Sequence, residues 1–532
     1  MSLTRREWLG ASTAAAATWS LGRFDRLLAA TEDTVAETMS GRIRGLRVDG
    51  VHMFMGVPYG GPADGAGRCM PPTPVPGWTG VRDAIKAGPR AIQGPGNIFT
   101  NPLIGAYFSG GRAGARELTE QADSENCLNL NVLTPGLTGR RAVMVYIHGG
   151  GFANGSGVLT ALSDRFVREN DVVLVGVNHR LNMFGYTYLG GFSERYGDSG
   201  NVGQLDLVAA LSWVRDNISR FGGDPGNVTI FGESGGGGKV SALLAMPLAT
   251  GLFRRAIIES GSSLRAGERE AATRSARAAL ERIGVTEQTL DQLHTMSLEK
   301  LRQAGGGSGP VVDGRSIPAQ TWTPAAPASA ANVALLVGNC KDEQTLFQRQ
   351  NEALFSLDAA GLRTRVVDSG IPGDSADKLI ALYRRDYPVA SATDIYFRIV
   401  TDRGTRENAI TQAERKLAQN APVYMYSFEW DTPIVDGTKA IKAFHTAELP
   451  LAMRLVRYPE SESLSKQIAG AWAAFAKTGN PIHSALPHWP TYDVERRATM
   501  VFDVPSRLVY DPNRDERALL KQHAARPSAA SA

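Results

Sequence analysis

At 532 residues the chain is long enough for three ordinary domains, although large α/β enzymes reach this length as one unit. Hydrophobic residues make up 43% and charged residues 21%, the balance of a soluble globular protein with a large core. A formal charge of +4, evenly spread, excludes a nucleic-acid footprint, and no run of about eighteen apolar residues is present to span a membrane.

The first thirty residues read as an address. Thr4-Arg5-Arg6-Glu7-Trp8-Leu9 sets two arginines before a mild, alanine-rich segment, Ala11 to Leu21, and Ala29-Ala30 offers small residues for cleavage. The pattern resembles a twin-arginine export signal. It predicts a mature chain that works outside the cytoplasm, periplasmic or secreted, with no stable membrane insertion. Residues 1–30 carry four Arg and two acids, so their loss leaves a net charge of +2.

Short β-rich segments around Val35–Tyr59 predict a small N-terminal meander with Gly/Asp turns. Residues 87–122 are rich in Gly and Pro yet carry Ile98, Phe99, Leu103, Ile104, Tyr107 and Phe108. Those apolar side chains predict a long packed loop, a wall of a substrate pocket. Buried-strand runs then alternate with helical patterns: Ala142–Ile147, Val172–Val177, Asn227–Phe231, Arg255–Glu259, Val333–Val337 and Val423–Phe428. Their continuous apolar character suits a mainly parallel sheet covered on both faces. Leu205–Ile218 and the segment after Ser234 read as helices, and Gly305–Gly309 as a surface loop. Residues 356–420 read as a mostly helical side segment and Ser463–Lys477 as an amphipathic helix. Three cysteines, Cys69, Cys127 and Cys340, allow one bridge at most, so stability rests on the core.

Gly232-Glu233-Ser234-Gly235-Gly236 follows the strand Val228–Phe231 and precedes a helical stretch. This is G-x-S-x-G in its strand–turn–helix setting. A serine thrown forward on a tight turn needs small neighbours, and the helix N-terminus behind it favours developing negative charge. A phosphate loop is the rival reading, because Lys239 follows, but Glu233 and Val240 stand where such a loop needs Gly and Ser/Thr. Ser234 is therefore the candidate nucleophile. His148-Gly149-Gly150-Gly151-Phe152, directly after the strand Ala142–Ile147, supplies a glycine loop whose amides can meet an oxyanion. Gly150, Gly151 and Gly235 are the candidate donors.

A nucleophilic serine needs a base, and the base an orienting carboxylate, in the chain order Ser, acid, His. That order removes His52, His148 and His179. His294 leaves little room for an acid loop, His523 sits in a polar tail, and His483 and His488 lie among prolines. His445 follows the strand Val423–Phe428 by a loop, where a strand-end site belongs. For the acid, Asp342 and Glu343 both lie beyond Val333–Val337, Asp313 is a third candidate, and spacing does not choose among them.

Together these motifs resemble the type-B carboxylesterase and cholinesterase family from about residue 38 to 510. The resemblance also runs through Gly56-Val57-Pro58-Tyr59, Ser124-Glu125-Asn126-Cys127-Leu128, Asn178-His179-Arg180-Leu181-Asn182, Phe221-Gly222-Gly223-Asp224-Pro225, Pro310-Val311-Val312-Asp313-Gly314 and Gly479-Asn480-Pro481. It implies an α/β-hydrolase fold: a large, mostly parallel central sheet with helices on both faces, an N-terminal β meander and a helical side segment. Residues 31–525 would form a single carboxylesterase domain, followed by a disordered tail at 526–532. The family's K-D-E stretch puts the acid on Glu343, its H-x-x-E-L segment puts the base on His445, and its oxyanion donors match Gly150, Gly151 and Gly235. Three departures stand out, of which Gln344, in place of the glycine that often follows the family's Glu, is a surface-level change. Asn126 replaces an Asp, which should alter a local polar network. No cysteine lies about thirty residues upstream of Cys127, so Cys127 is expected free, with pairing to Cys69 the lesser alternative.

The implied reaction is acyl transfer through an acyl-enzyme, on small to medium carboxylic esters, with no metal and no cofactor. The partner is a small-molecule ester. The alternatives are the same three residues acting on amides, carbamates or thioesters, and a non-catalytic binding module of the same family, which would lack one of the three.

Overall fold

The apolar runs do form strands, and most of them join one sheet. The computed structural model describes residues 32–95, 101–112, 115–307 and 309–523; the leader 1–30, Ile98, Phe99 and the tail 526–532 lie outside these. In chain order the strands are β1 (Glu32–Thr38), β2 (Gly41–Val48), β3 (Val51–Pro58), β4 (Val81–Asp83), β5 (Asn129–Thr134), β6 (Arg141–Ile147), β7 (Val173–Val177), β8 (Gly223–Glu233), β9 (Arg255–Glu259), β10 (Ala334–Cys340), β11 (Val423–Phe428), β12 (Thr432–Asp436), β13 (Lys439–Lys442), β14 (Ala498–Phe502) and β15 (Arg507–Tyr510). The sheet order is β1-β2-β3-β5-β7-β6-β8-β9-β10-β11-β14-β15, with β4 beside β2 and β12-β13 a separate hairpin.

From β7 through β14 every neighbouring pair is parallel. The meander β1-β2-β3 and β5 join β7 antiparallel, and β15 closes the far edge antiparallel. This is the α/β-hydrolase sheet. Both faces of the parallel strands are buried, and the side-chain alternation shows why the runs are continuously apolar. On β6, Val143, Val145 and Ile147 pack to one face with Leu207, Leu211 and Val214 of the helix Val202–Asn217. Met144 and Tyr146 pack to the other with Ile468, Trp472 and Phe475 of the helix Glu462–Thr478. Each such fully buried side chain is worth about 1.5–3 kcal/mol relative to exposure.

Four differences from the sequence reading have physical reasons. First, β10 runs on to Cys340 because Gly338, Asn339 and Cys340 keep their register with Tyr426, Ser427 and Phe428, although Gly and Asn read as strand breakers. Second, the segment 87–122 is not all loop. Asn101 caps a short helix, α1 (Pro102–Phe108), accepting from the Leu103 amide at 2.9 Å, and Pro102 opens it. Its Ile104, Tyr107 and Phe108 are buried. Third, β8 starts at Gly223, through an Asp-Pro-Gly stretch that bulges where it meets β6. Fourth, β14 and the edge strand β15 are absent from the sequence reading: Thr499 interrupts the apolar run of β14, and β15 is four half-buried or exposed residues that begin on Arg507.

The side segment 356–420 is helical, with α2 (Ala359–Asp368), α3 (Gly373–Asp386), α4 (Ala392–Thr401) and α5 (Glu407–Lys416). Leu362, Val366, Leu379, Tyr383 and Phe397 form a cluster of their own, whereas Ala409, Ile410 and Ala413 of α5 pack on the main sheet. All three cysteines are free and buried. Cys127 belongs to the cluster on one face of the sheet, Cys340 to the other face, and Cys69 to a third cluster under residues 183–304. Asn126 accepts from the Ala63 amide at 2.8 Å and donates to Asp64 at 2.8 Å, the local polar network expected of it. No described helix is long and apolar enough to cross a membrane.

Candidate active site

Ser234 directly follows β8 at φ 58° and ψ −126°, a backbone conformation that an L-residue rarely adopts, and it caps the helix Gly235–Leu243. The glycines around it are sterically required. A Cβ on Gly236 would stand 2.1 Å from the Ile147 carbonyl oxygen, and one on Gly235 2.2 Å from that of Gly151. The Ser234 amide donates to the Glu259 carbonyl at 2.8 Å, which fixes the turn against β9.

His445 arrives on the loop after β13, and Glu343 on the turn after β10. The Glu343 carboxylate accepts from His445 Nδ1–H, and its other oxygen accepts from the Cys340 amide at 2.9 Å. Nε2 therefore keeps its lone pair, and the Ser234 hydroxyl lies 2.7 Å from it. His445 and Glu343 are both buried. Phe347 lays its ring 4.8 Å from the imidazole.

The other candidates are occupied elsewhere. Asp342 faces the Ala443 amide and Lys341, and burial raises its carboxyl to about 6. Asp313 binds Ser316 at 2.6 Å and Asn201 at 2.9 Å, holding a loop. His294 contacts the Gly65 carbonyl and Tyr196, and His483 contacts the Gln467 carbonyl.

Opposite Ser234, the loop 148–152 folds so that its carbonyls are held from behind. The Gly150 carbonyl accepts from the Asn154 amide at 3.0 Å, and that of Phe152 from Asn182 at 2.7 Å. The His148 and Gly151 carbonyls each accept from Lys239 Nζ at 2.9 Å. Among the described residues nothing accepts from the amides of Gly150, Gly151 or Gly235. Ser234, His445, Gly150 and Gly151 line a cavity of about 900 Å³, whose apolar walls include Phe108, Leu159, Leu162 and Leu449. Described residues of the segment 87–122, among them Arg90, Gln93, Phe108 and Thr119, are thus part of the pocket wall.

Behind the triad sits a set of buried carboxylates that sequence reasoning missed. Glu233 Oε1 is 3.3 Å from His445 Nε2 and has no hydrogen-bond partner. Burial, then the charges of Glu448, Glu343 and Glu259, push its carboxyl well above the usual range. Burial and Glu448 raise Glu259 to about 8, and Trp472 donates to it at 3.1 Å. Glu448 accepts from Cys340 Sγ at 2.7 Å and Tyr426 at 3.1 Å. Its place in His-x-x-Glu was the available signal. No group of three His, Cys, Asp or Glu among the described residues is placed to hold a metal ion.

The family model described as the carboxylesterase family matches residues 32–519. The chain belongs to that family. The para-nitrobenzyl esterase of Bacillus subtilis (strain 168) is 35% identical over 91% of this chain and 98% of its own length. The phenmedipham hydrolase of Pseudarthrobacter oxydans is 30% identical over 88% and 94%. Among solved structures, PNB esterase superposes with a TM-score of 0.75 at 33% identity, covering 92% of this chain and 99% of that one. This carboxylesterase is a serine hydrolase of carboxylic esters.

Proposed function

We propose that Ser234 is the nucleophile, His445 the general base and then acid, and Glu343 the carboxylate that orients it. The amides of Gly150, Gly151 and Gly235 hold the oxyanion. The reading rests on the 2.7 Å contact between Ser234 Oγ and His445 Nε2, with Nδ1 held by Glu343. In this arrangement His445 takes the serine proton as the hydroxyl attacks an ester carbonyl. Glu343 stabilises the imidazolium, the alcohol leaves with the proton from Nε2, and water repeats the attack on the acyl-enzyme. The apolar walls and the cavity of about 900 Å³ suit small to medium esters.

Ser234→Ala tests this directly. Turnover of an aryl ester should fall by about 10⁵–10⁶, the scale of losing a nucleophile; turnover near wild type would defeat the assignment. We also propose export by the twin-arginine route, on the strength of Arg5-Arg6 and the alanine-rich segment after them. Cell fractionation of the wild type and an Arg5→Lys/Arg6→Lys double variant should find the activity outside the cytoplasm only for the wild type.

A further inference from the structure

Lys239, the residue that a phosphate loop would have turned toward a ligand, points elsewhere. It lies on the second turn of the helix behind Ser234 and is fully buried. Its Nζ donates to the carbonyls of His148 and Gly151, each at 2.9 Å, and sits 5.4 Å from the centre of the Phe152 ring. It makes no ion pair among the described residues. Burying an ammonium without one is costly, so a lysine here demands an explanation that packing does not provide.

The two carbonyls are informative. They bracket the glycine run: the His148 carbonyl belongs to the peptide before Gly149, and the Gly151 carbonyl to the peptide after Gly150 and Gly151 have presented their amides. Gly150 and Gly151 both sit at positive φ, 85° and 62°, where the backbone of a glycine loop can flip its peptides easily. A single Nζ ties both ends of the run, and the Gly150 and Gly151 amides between them have no acceptor among the described residues. Gly149, Gly150 and Gly151 line the cavity and Lys239 does not, so the amine holds the loop from within the protein, where low dielectric strengthens its hydrogen bonds.

We infer that Lys239 is a positioning residue for the oxyanion hole: it clamps the glycine loop from behind so that the Gly150 and Gly151 amides are oriented before substrate arrives. This rests on the assignment of those amides as oxyanion donors. Burial pulls the ammonium down to about 7, with Glu233 opposing. A neutral amine keeps two N–H groups, so the clamp persists through that titration.

The test compares Lys239→Met, of similar length without a donor, and Lys239→Gln, which keeps an amide donor, with wild type and Ser234→Ala. Steady-state kinetics on an aryl ester are combined with inhibition by an aryl trifluoromethyl ketone, whose adduct carries the oxyanion, and with far-UV circular dichroism. In Lys239→Met, kcat should fall by about 10–100-fold, less than the 10²–10³ of removing a donor outright. KM should stay within about twofold, and the ketone should bind more weakly by about the same factor as kcat. Lys239→Gln should recover part of both. A folded Lys239→Met with wild-type kcat and ketone affinity would overturn the inference, as would equal losses in the Met and Gln variants. If Ser234→Ala is inactive while Lys239→Met is unchanged, only the clamp fails; if Ser234→Ala is active, the underlying site assignment fails. Where the Met variant does not fold, Lys239→Gln carries the same comparison.

Discussion

Glu343 holds His445 by Nδ1 and is itself held by the Cys340 amide, so its charge and its position do separate things. Glu343→Gln keeps the shape and removes the charge. The amide then offers either a carbonyl or an NH₂ to the imidazole, and the tautomer that leaves Nε2 free is no longer enforced. We expect kcat to drop by about 10⁴, the scale seen when the orienting acid of a triad is neutralised. Steady-state rates on an aryl ester check this, and a drop below tenfold would mean that Glu343 is not the orienting group. The choice of Glu343 over Asp342 shows where residue reading ends. Both follow the same strand by sequence, but the turn after Cys340 aims one at His445 and its neighbour at the Ala443 amide. Adjacent residues differ in direction by the backbone geometry of one turn, which spacing does not encode.

Among the elements, most of the parallel strands and both long flanking helices were legible, because a strand buried on both faces has no polar alternation to confuse it. The turn that presents Ser234 was legible too, since only a glycine pattern permits it. What was hidden were charges inside the scaffold: Glu233, Glu259 and Glu448 read as strand or loop ends, and their mutual burial exists only in three dimensions. Another buried charge is Arg180, near Cys127 and Tyr59, which pairs with Asp206 of the helix Val202–Asn217. Asp206 accepts from Arg180 Nη2 at 2.6 Å, Nε at 2.8 Å and its amide at 3.0 Å. Both side chains are essentially inaccessible. Asp206→Asn would strand a guanidinium in apolar surroundings, and removing one partner of a buried pair costs about 3–5 kcal/mol. Urea unfolding should show a lower midpoint, with an unfolding free energy reduced by an amount of that order; an unchanged midpoint would mean that water or another group takes over the charge.

For the molecule as a whole, the buried acids predict a pH signature. Glu259 titrates near 8 in the fold against an ordinary 4.5, so between those values the folded state keeps a proton that the unfolded chain has released. Its contribution to stability is complete below about 4.5 and lost as pH rises through about 8. Glu462 acts oppositely: although partly buried, it is held down to about 2 by Arg165 and Arg454, so its contribution is present above about 4.5 and lost as pH falls through about 2. Thermal midpoints across pH 5–9 should show Glu259→Gln gaining on wild type as pH rises. Parallel curves would mean that Glu259 is ionised in the fold.

The three free thiols lie in three separate apolar clusters, one on each face of the sheet and one under residues 183–304. Burial raises all three above their ordinary range, so an alkylating reagent meets no thiolate until a layer parts. Each cysteine is thereby a resident timer for its own compartment. A brief pulse of maleimide during denaturation, followed by peptide mass analysis, would record which compartment opens first, with no label engineered into the chain.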